Sequence, residues 1–297
     1  MPTSRPSRYP EPFVINNQIP PHKQTFIILH DRGSSATAFG PAILFRPLPP
    51  FNRSGYAAHS QHQYWSTQST TLYMAFPHAK FVFPTASMLR ATAFTESVIN
   101  QWLDEETRRW RAELPIPGLR DTVRYMHGLI QKEIDILDGD AAGVVVGGMS
   151  QGCAAALISA LLWEGDPLGG CIGLCGWLPF AEEIMDATQP DKEDENEAPT
   201  RFKEGINRLR EKLDVPASSE RGQDTAYSMP DNTPLFIAHG IEDKTVPVTF
   251  GRQMVDSLKS LGWSNDNIQW KEYPGLVHNY SEGMLSDMVK FLSERLV

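Results

Sequence analysis

The chain has 297 residues, 41% of them hydrophobic, enough for one α/β domain with additions and a sizeable core. Its net charge of -9 argues against nucleic acid as a partner, and no stretch approaches the roughly 18 apolar residues of a membrane span. Three cysteines, an odd number too few to frame a zinc site, point to a reducing compartment. No metal and no cofactor are expected. Residues 1–10 lack an apolar leader, so a cytoplasmic setting without stable membrane insertion is expected.

In chain order, a Pro-rich arm over 1–22 leads to an expected strand over 25–30 and a loop over 31–35. Residues 46–71 exceed what a core needs. They mix prolines and aromatics with His59 and His62, a histidine pair with no further ligand in view and read as surface chemistry. A strand is expected over 80–84, then a helix over 122–137. On that helix Val123, Met126 or His127, Ile130, Ile134 and Leu137 recur at helical spacing, and His127 is read as a helix-face residue. Strand 143–147, helix 152–162 and strand 170–174 follow. Residues 181–232 carry an acidic run over 191–197, read as a solvated loop. They also carry an amphipathic helix over 202–213 built on Phe202, Ile206, Leu209 and Leu213, placed where a lid or acyl-chain cover would sit. Strand 234–238, helix 248–261, strand 268–273 and a last helix over 284–296 complete the chain. The alternation predicts an α/β fold: a mostly parallel sheet flanked by helices, one domain over 1–297 with lid-like insertions at 46–71 and 181–232.

The chemistry centres on Gly148-Met149-Ser150-Gln151-Gly152, which follows a β-branched run and precedes Cys153-Ala154-Ala155-Ala156. Glycines two places either side of the serine permit a cramped strand-to-helix turn that displays the hydroxyl. Serine is a poor nucleophile until a neutral imidazole takes its proton, and that imidazole needs a carboxylate to fix its tautomer. His239-Gly240-Ile241-Glu242-Asp243 and Tyr273-Pro274-Gly275-Leu276-Val277-His278 follow in the order serine, acid, histidine. Ser150, Asp243 and His278 are therefore the expected catalytic residues. Taken singly, Asp243 also reads as a helix cap and His278 as an idle loop residue; Glu242 is a rival acid, and His239 reads as a structural strand-end residue. An oxyanion hole needs two backbone donors, expected from the N–H of Gln151 and that of Arg32.

These motifs resemble the acyl-protein thioesterase, lysophospholipase and carboxylesterase family of α/β-hydrolases. Its Leu-His-Gly loop corresponds to Leu29-His30-Asp31, its elbow to Gly148–Gly152, its acid motif to His239 through Pro247 and its histidine motif to Tyr273 through His278. Its Cys-Trp-Leu-Pro segment is echoed in Cys175-Gly176-Trp177-Leu178-Pro179, and further echoes are Pro84-Thr85-Ala86 and Gln101-Trp102-Leu103-Asp104. The resemblance implies hydrolysis of an ester or thioester in a small molecule or an acylated protein. Met149, Trp177, Leu178, Leu276 and Val277 are expected near the acyl group, with about half of such residues serving the core. Two residues depart from the pattern. Asp31 replaces glycine beside the oxyanion loop, either opposing the oxyanion or substituting for glycine's left-handed geometry. Cys153 replaces a second glycine and reads as a buried small hydrophobe. The insertions keep open a pathway-specific hydrolase or acyltransferase that releases a metabolite, and Asp31 a catalytically silent binding protein on the same fold.

Overall fold

Apolar runs alternating with turns build a seven-stranded sheet in the computed structural model, which describes residues 9–49, 69–95, 97–104, 115–188, 198–217 and 233–296. In chain order the elements begin with β1 (Phe13–Ile15), β2 (Gln24–Leu29), α1 (Ala36–Leu44), α2 (Leu72–Ala75) and β3 (Ala79–Phe83). Strands β4 (Met88–Ala91) and β5 (Ser97–Asn100) pair only with each other, as a separate hairpin. Then come α3 (Pro115–Ile136), β6 (Val144–Met149), α4 (Gln151–Leu161), β7 (Gly170–Leu174), α5 (Ala181–Ala187) and α6 (Ala198–Leu213). The chain closes with β8 (Leu235–Gly240), α7 (Val248–Ser260), β9 (Ile268–Tyr273) and α8 (Glu282–Ser293). The sheet order is β1-β3-β2-β6-β7-β8-β9, parallel throughout except for β1 against β3.

Strands β2, β6, β7 and β8 are buried along their whole length, as expected of parallel strands covered on both faces. Successive side chains divide between two apolar layers. Ile27, Leu29, Val144, Val146 and Ile237 pack with residues of α3, α4, α6 and α7, whereas Phe26, Ile28, Val145, Ile172 and Phe236 pack with residues of α1 and α8. The α3 positions Val123, Met126, Ile130 and Ile134, and Leu137 just past its end, all lie in the first layer. His127 fastens α3 to α4, its Nε2–H donating to Ser159 O at 2.9 Å.

The strands fall within two residues of their expected bounds. Helix α3 starts seven residues before the expected 122, because Pro115 and Pro117 occupy its first turn, where missing N–H groups cost nothing. Helix α1 escaped the sequence reading because Pro41 interrupts its interior; its start is marked by Ser35, whose Oγ accepts from Ala38 N at 3.3 Å. Strand β1 and the β4–β5 hairpin, at three and four residues per strand, were too short to give a periodic signal.

The two extra stretches differ in kind. The ends of the first are pinched together by a bridge between buried Leu48 and Thr70, with Leu48 N donating to Thr70 O at 2.7 Å. Its centre, with His59 and His62, lies outside the described residues, as does the acidic run over 191–197. Helix α6, expected as a cover, buries Phe202, Ile206, Leu209 and Leu213 in the same layer as α3 and α7. The described part of that stretch is thus built into the helical layer.

Candidate active site

The strand β6 run ends at Met149 and α4 starts at Gln151, so Ser150 alone makes the turn, at φ 55° and ψ -120°. Such a backbone is strained for a residue with a side chain and persists because its surroundings fix it. Ser150 N–H donates to Leu174 O at 2.8 Å, and the glycines on either side leave no alternative. A Cβ on Gly148 would stand 2.4 Å from the backbone carbon of Gly152, and one on Gly152 would stand 2.5 Å from Leu29 O.

His278, in the loop after β9, places Nε2 2.9 Å from Ser150 Oγ and Nδ1 2.7 Å from Asp243 Oδ2. A carboxylate only accepts, so Nδ1 carries the proton and Nε2 offers its lone pair to the serine hydroxyl. Asp243, in the turn after β8, is shielded from solvent, and its Oδ1 accepts the N–H groups of Thr245 and Val246, each at 2.9 Å. Burial pushes its carboxyl up, but hydrogen bonds from His239, His278 and Val246 N–H outweigh burial and hold it well below the usual carboxylate range. The rival Glu242 instead clamps the histidine loop, its Oε2 accepting Gly275 N–H at 2.6 Å and its own N–H donating to Leu276 O at 3.1 Å. Cys175, at φ 48°, steadies the same loop through an Sγ–H bond to Asn279 O at 3.2 Å; burial pushes its thiol up to about 11.

On the other side of Ser150, the loop after β2 is held from several directions. His30 is buried, with Nδ1–H donating to Asp31 O at 2.6 Å and Nε2 accepting from Ala86 N–H at 3.0 Å. That fixes a neutral tautomer, and burial lowers the ring's pKa. Trp102 Nε1–H donates to His30 O at 2.8 Å, while the Gln151 side chain accepts from Trp102 N–H and donates to Leu103 O, both at 2.8 Å. The elbow, the 101–103 segment and the β2 loop are thereby one unit. This role of the Gln151 side chain was missed; its signals were the fixed glutamine of the elbow and the Gln-Trp-Leu-Asp echo. Gly33 N–H is committed to Asn100 O at 2.8 Å, pinning the loop immediately after Arg32.

Asp31 does not substitute for glycine conformationally: the left-handed residue of this turn is Gly33, at φ 80°, and Asp31 keeps an ordinary backbone. Its charge acts toward Tyr280, whose hydroxyl burial pushes up, with Arg46 opposing and Asp31 adding. Among the five expected substrate-contacting residues, Met149, Trp177 and Leu178 are buried in the two core layers at 5%, 6% and 3% exposure. Leu276 is half-buried and Val277 is 57% exposed, so these two carry most of the accessible apolar surface of the set. Cys153 is fully buried, and burial raises its thiol well above the usual range. Among the described residues no group of three His, Cys, Asp or Glu converges as a metal site, and no helix is long and apolar enough to cross a membrane.

A serine on a strand-to-helix elbow, an acid after a later strand and a histidine on the loop after the next define an α/β-hydrolase. The chain belongs to the phospholipase/carboxylesterase family, whose model matches residues 57–193 and 217–296, and it is a hydrolase of carboxylic esters. The match leaves out 194–216, which contains α6, and everything before 57, which contains β2 and the loop after it. The acyl-protein thioesterase 1 of Debaryomyces hansenii is 27% identical over 217 residues, 73% of this chain and 76% of that protein. Carboxylesterase SOBER1 of Arabidopsis thaliana is 26% identical over 222 residues, 74% of this chain and 78% of that one. The crystal structure of Zea mays acyl-protein thioesterase 2 shares the fold with a TM-score of 0.65 at 21% identity, covering 97% of this chain and all of that one.

Proposed function

We propose that this chain hydrolyses carboxylic esters and thioesters of acyl substrates through an acyl-Ser150 intermediate. The observation that carries the proposal is the unbroken relay Ser150–His278–Asp243, at 2.9 and 2.7 Å. His278 Nε2 takes the hydroxyl proton as Ser150 Oγ bonds to the carbonyl carbon, and Asp243 stabilises the imidazolium. The oxyanion that forms is held by Gln151 N–H, at the first turn of α4 where amide groups lack helical partners, and by Arg32 N–H. His278 then gives its proton to the departing alcohol or thiol. In the second half it deprotonates a water that attacks the acyl-serine, and collapse returns the proton to Ser150.

The substrate is a small ester or an acylated protein. The exposed apolar surface of Leu276 and Val277 beside His278 favours an acyl chain or aromatic group, and the names of the relatives support the acylated-protein class. A cytoplasmic setting, a single domain over 1–297 and substrate-shaping roles for the described ends of 46–71 belong to the same reading.

The test labels the wild type with a fluorophosphonate and measures turnover of p-nitrophenyl esters and acyl thioesters of graded length, alongside Ser150→Ala. Labelling and turnover of the wild type, both lost in Ser150→Ala, are expected. An unlabelled wild type would remove the enzymatic reading, and labelling that survives Ser150→Ala would assign the nucleophile elsewhere.

A further inference from the structure

We infer that His239 is a positioning residue of this reaction: its single N–H braces the turn that carries Asp243 and shares the carboxylate oxygen to which His278 is bound. The inference rests on the triad reading above and deepens it. A histidine ending an apolar strand reads from sequence as structural, but its surroundings give it a defined direction. His239 is fully buried at the end of β8. Its Nε2 lies 2.8 Å from Val246 O and 3.4 Å from Asp243 Oδ2. Both are acceptors, so Nε2 carries the proton, donates it to Val246 O and faces Asp243 Oδ2 beside it. Its Nδ1 is buried without a hydrogen-bond partner.

The ring has little room to turn. A Cβ on Gly251 of α7 would come within 2.7 Å of Nδ1, and the Trp270 ring of β9 lies 6.3 Å away between centroids. A residue needed only to fill this space would be apolar, with no ring nitrogen left unpaired.

The carboxylate therefore has two backbone amides on Oδ1 and two imidazoles on Oδ2. The His239 donor acts against the basicity of Asp243, so the His278 imidazolium is held less tightly than it would be by a carboxylate serving His278 alone. Removing the donor should loosen the turn that carries Asp243, which lowers kcat, while the carboxylate, still bound to His278, holds the imidazolium more tightly and moves the acid limb of the rate profile to higher pH. Groups facing the pair do not confuse this limb. From β9, Glu272 faces His239, but Arg252 of α7 pairs with it at 2.7 Å and lowers its pKa, so it stays ionised. From the end of β7, the Cys175 thiol faces Asp243 and stays protonated. From the elbow, His278 meets only the Ser150 hydroxyl.

The experiment compares the full-length wild type with His239→Leu, which keeps volume without a donor, and His239→Gln, whose amide nitrogen restores one near Nε2. The kcat, the KM and the pH profile of p-nitrophenyl ester hydrolysis are measured with the melting temperature. His239→Leu should lower kcat about 10- to 100-fold with KM within about twofold. Its acid limb should rise by about half a pH unit or more, and His239→Gln should regain most of both. A folded His239→Leu with wild-type kcat and acid limb, or no recovery in His239→Gln, would overturn the inference. If His239→Leu does not fold, Gly251→Ala presses on the ring from its bare side, and unchanged kcat and pH profile in that variant would equally overturn it. An unlabelled wild type in the fluorophosphonate assay would instead remove the triad reading, and this inference with it.

Discussion

A buried carboxylate is tolerated only where donors replace the water it has lost, and Asp243 has four of them within reach. Its folded pKa is depressed, so its contribution to stability is fully present above the unfolded value and is lost only as pH falls through the folded one. Asp243 thus stays ionised through the mildly acid range and sets no acid limb of its own. Asp243→Asn should lower kcat by roughly 10³- to 10⁴-fold. Glu242→Gln, which keeps an oxygen for Gly275 N–H, should lower it by less than about tenfold; comparable losses in the two variants would mean the acid had been misassigned. Asp31 keeps an ordinary backbone, so its departure from glycine can reach the oxyanion through charge alone. Asp31→Asn should raise kcat about two- to fivefold at low ionic strength, an effect that shrinks with added salt. Steady-state rates across a salt series check it.

The elbow places its serine because its neighbours cannot be larger. Gly152→Ala forces a methyl against Leu29 O and His30 O, both main-chain atoms that cannot swing aside. We expect that variant to lose fluorophosphonate labelling and to melt well below the wild type, as followed by circular dichroism. Helix α6 is placed by a different force, burial of its apolar stripe against the α3 layer. Leu209, 1% exposed, should cost about 2–5 kcal/mol when cut to alanine, with kcat per folded molecule and the chain-length profile of esters unchanged. Urea unfolding and an ester series decide this; a shifted chain-length profile at full stability would restore α6 as a cover. Neither outcome was legible beforehand, since an amphipathic stripe has the same spacing whether it meets a core or an acyl chain.

Across the whole molecule, three distant segments are brought to one edge of the sheet. Ser150 follows β6 and Asp243 follows β8, while His278 comes from the loop after β9 and returns across the strand ends to a serine 128 residues earlier. The helical layers that hold these strands also seal the thiols: Cys153, Cys171 and Cys175 are all buried, and burial raises each thiol's pKa. Iodoacetamide at mildly alkaline pH should therefore leave the native protein unmodified and fully active, with all three sites alkylated only on unfolding. Mass spectrometry along a denaturant series reads the result, and fast labelling of Cys175 in the native state would show that the loop carrying His278 opens.

The meeting of Ser150, His278 and Asp243, the elbow and the parallel sheet were legible because each leaves a local mark: a glycine-flanked serine, β-branched runs, and an acid and a histidine at strand ends in hydrolase order. Helix α1 and the β4–β5 hairpin left none, hidden by Pro41 and by strands too short to show a period. The surroundings of Ser150, Asp243 and His278 were beyond the sequence for a different reason. That Glu242 clamps Gly275, that Gln151 ties Trp102 to the start of α4, and that His239 and His278 approach the same Asp243 oxygen are facts about side chains meeting across the fold. Sequence determines which residues can donate and accept, because that is fixed by their chemistry; packing alone decides which of them come within hydrogen-bonding reach of each other.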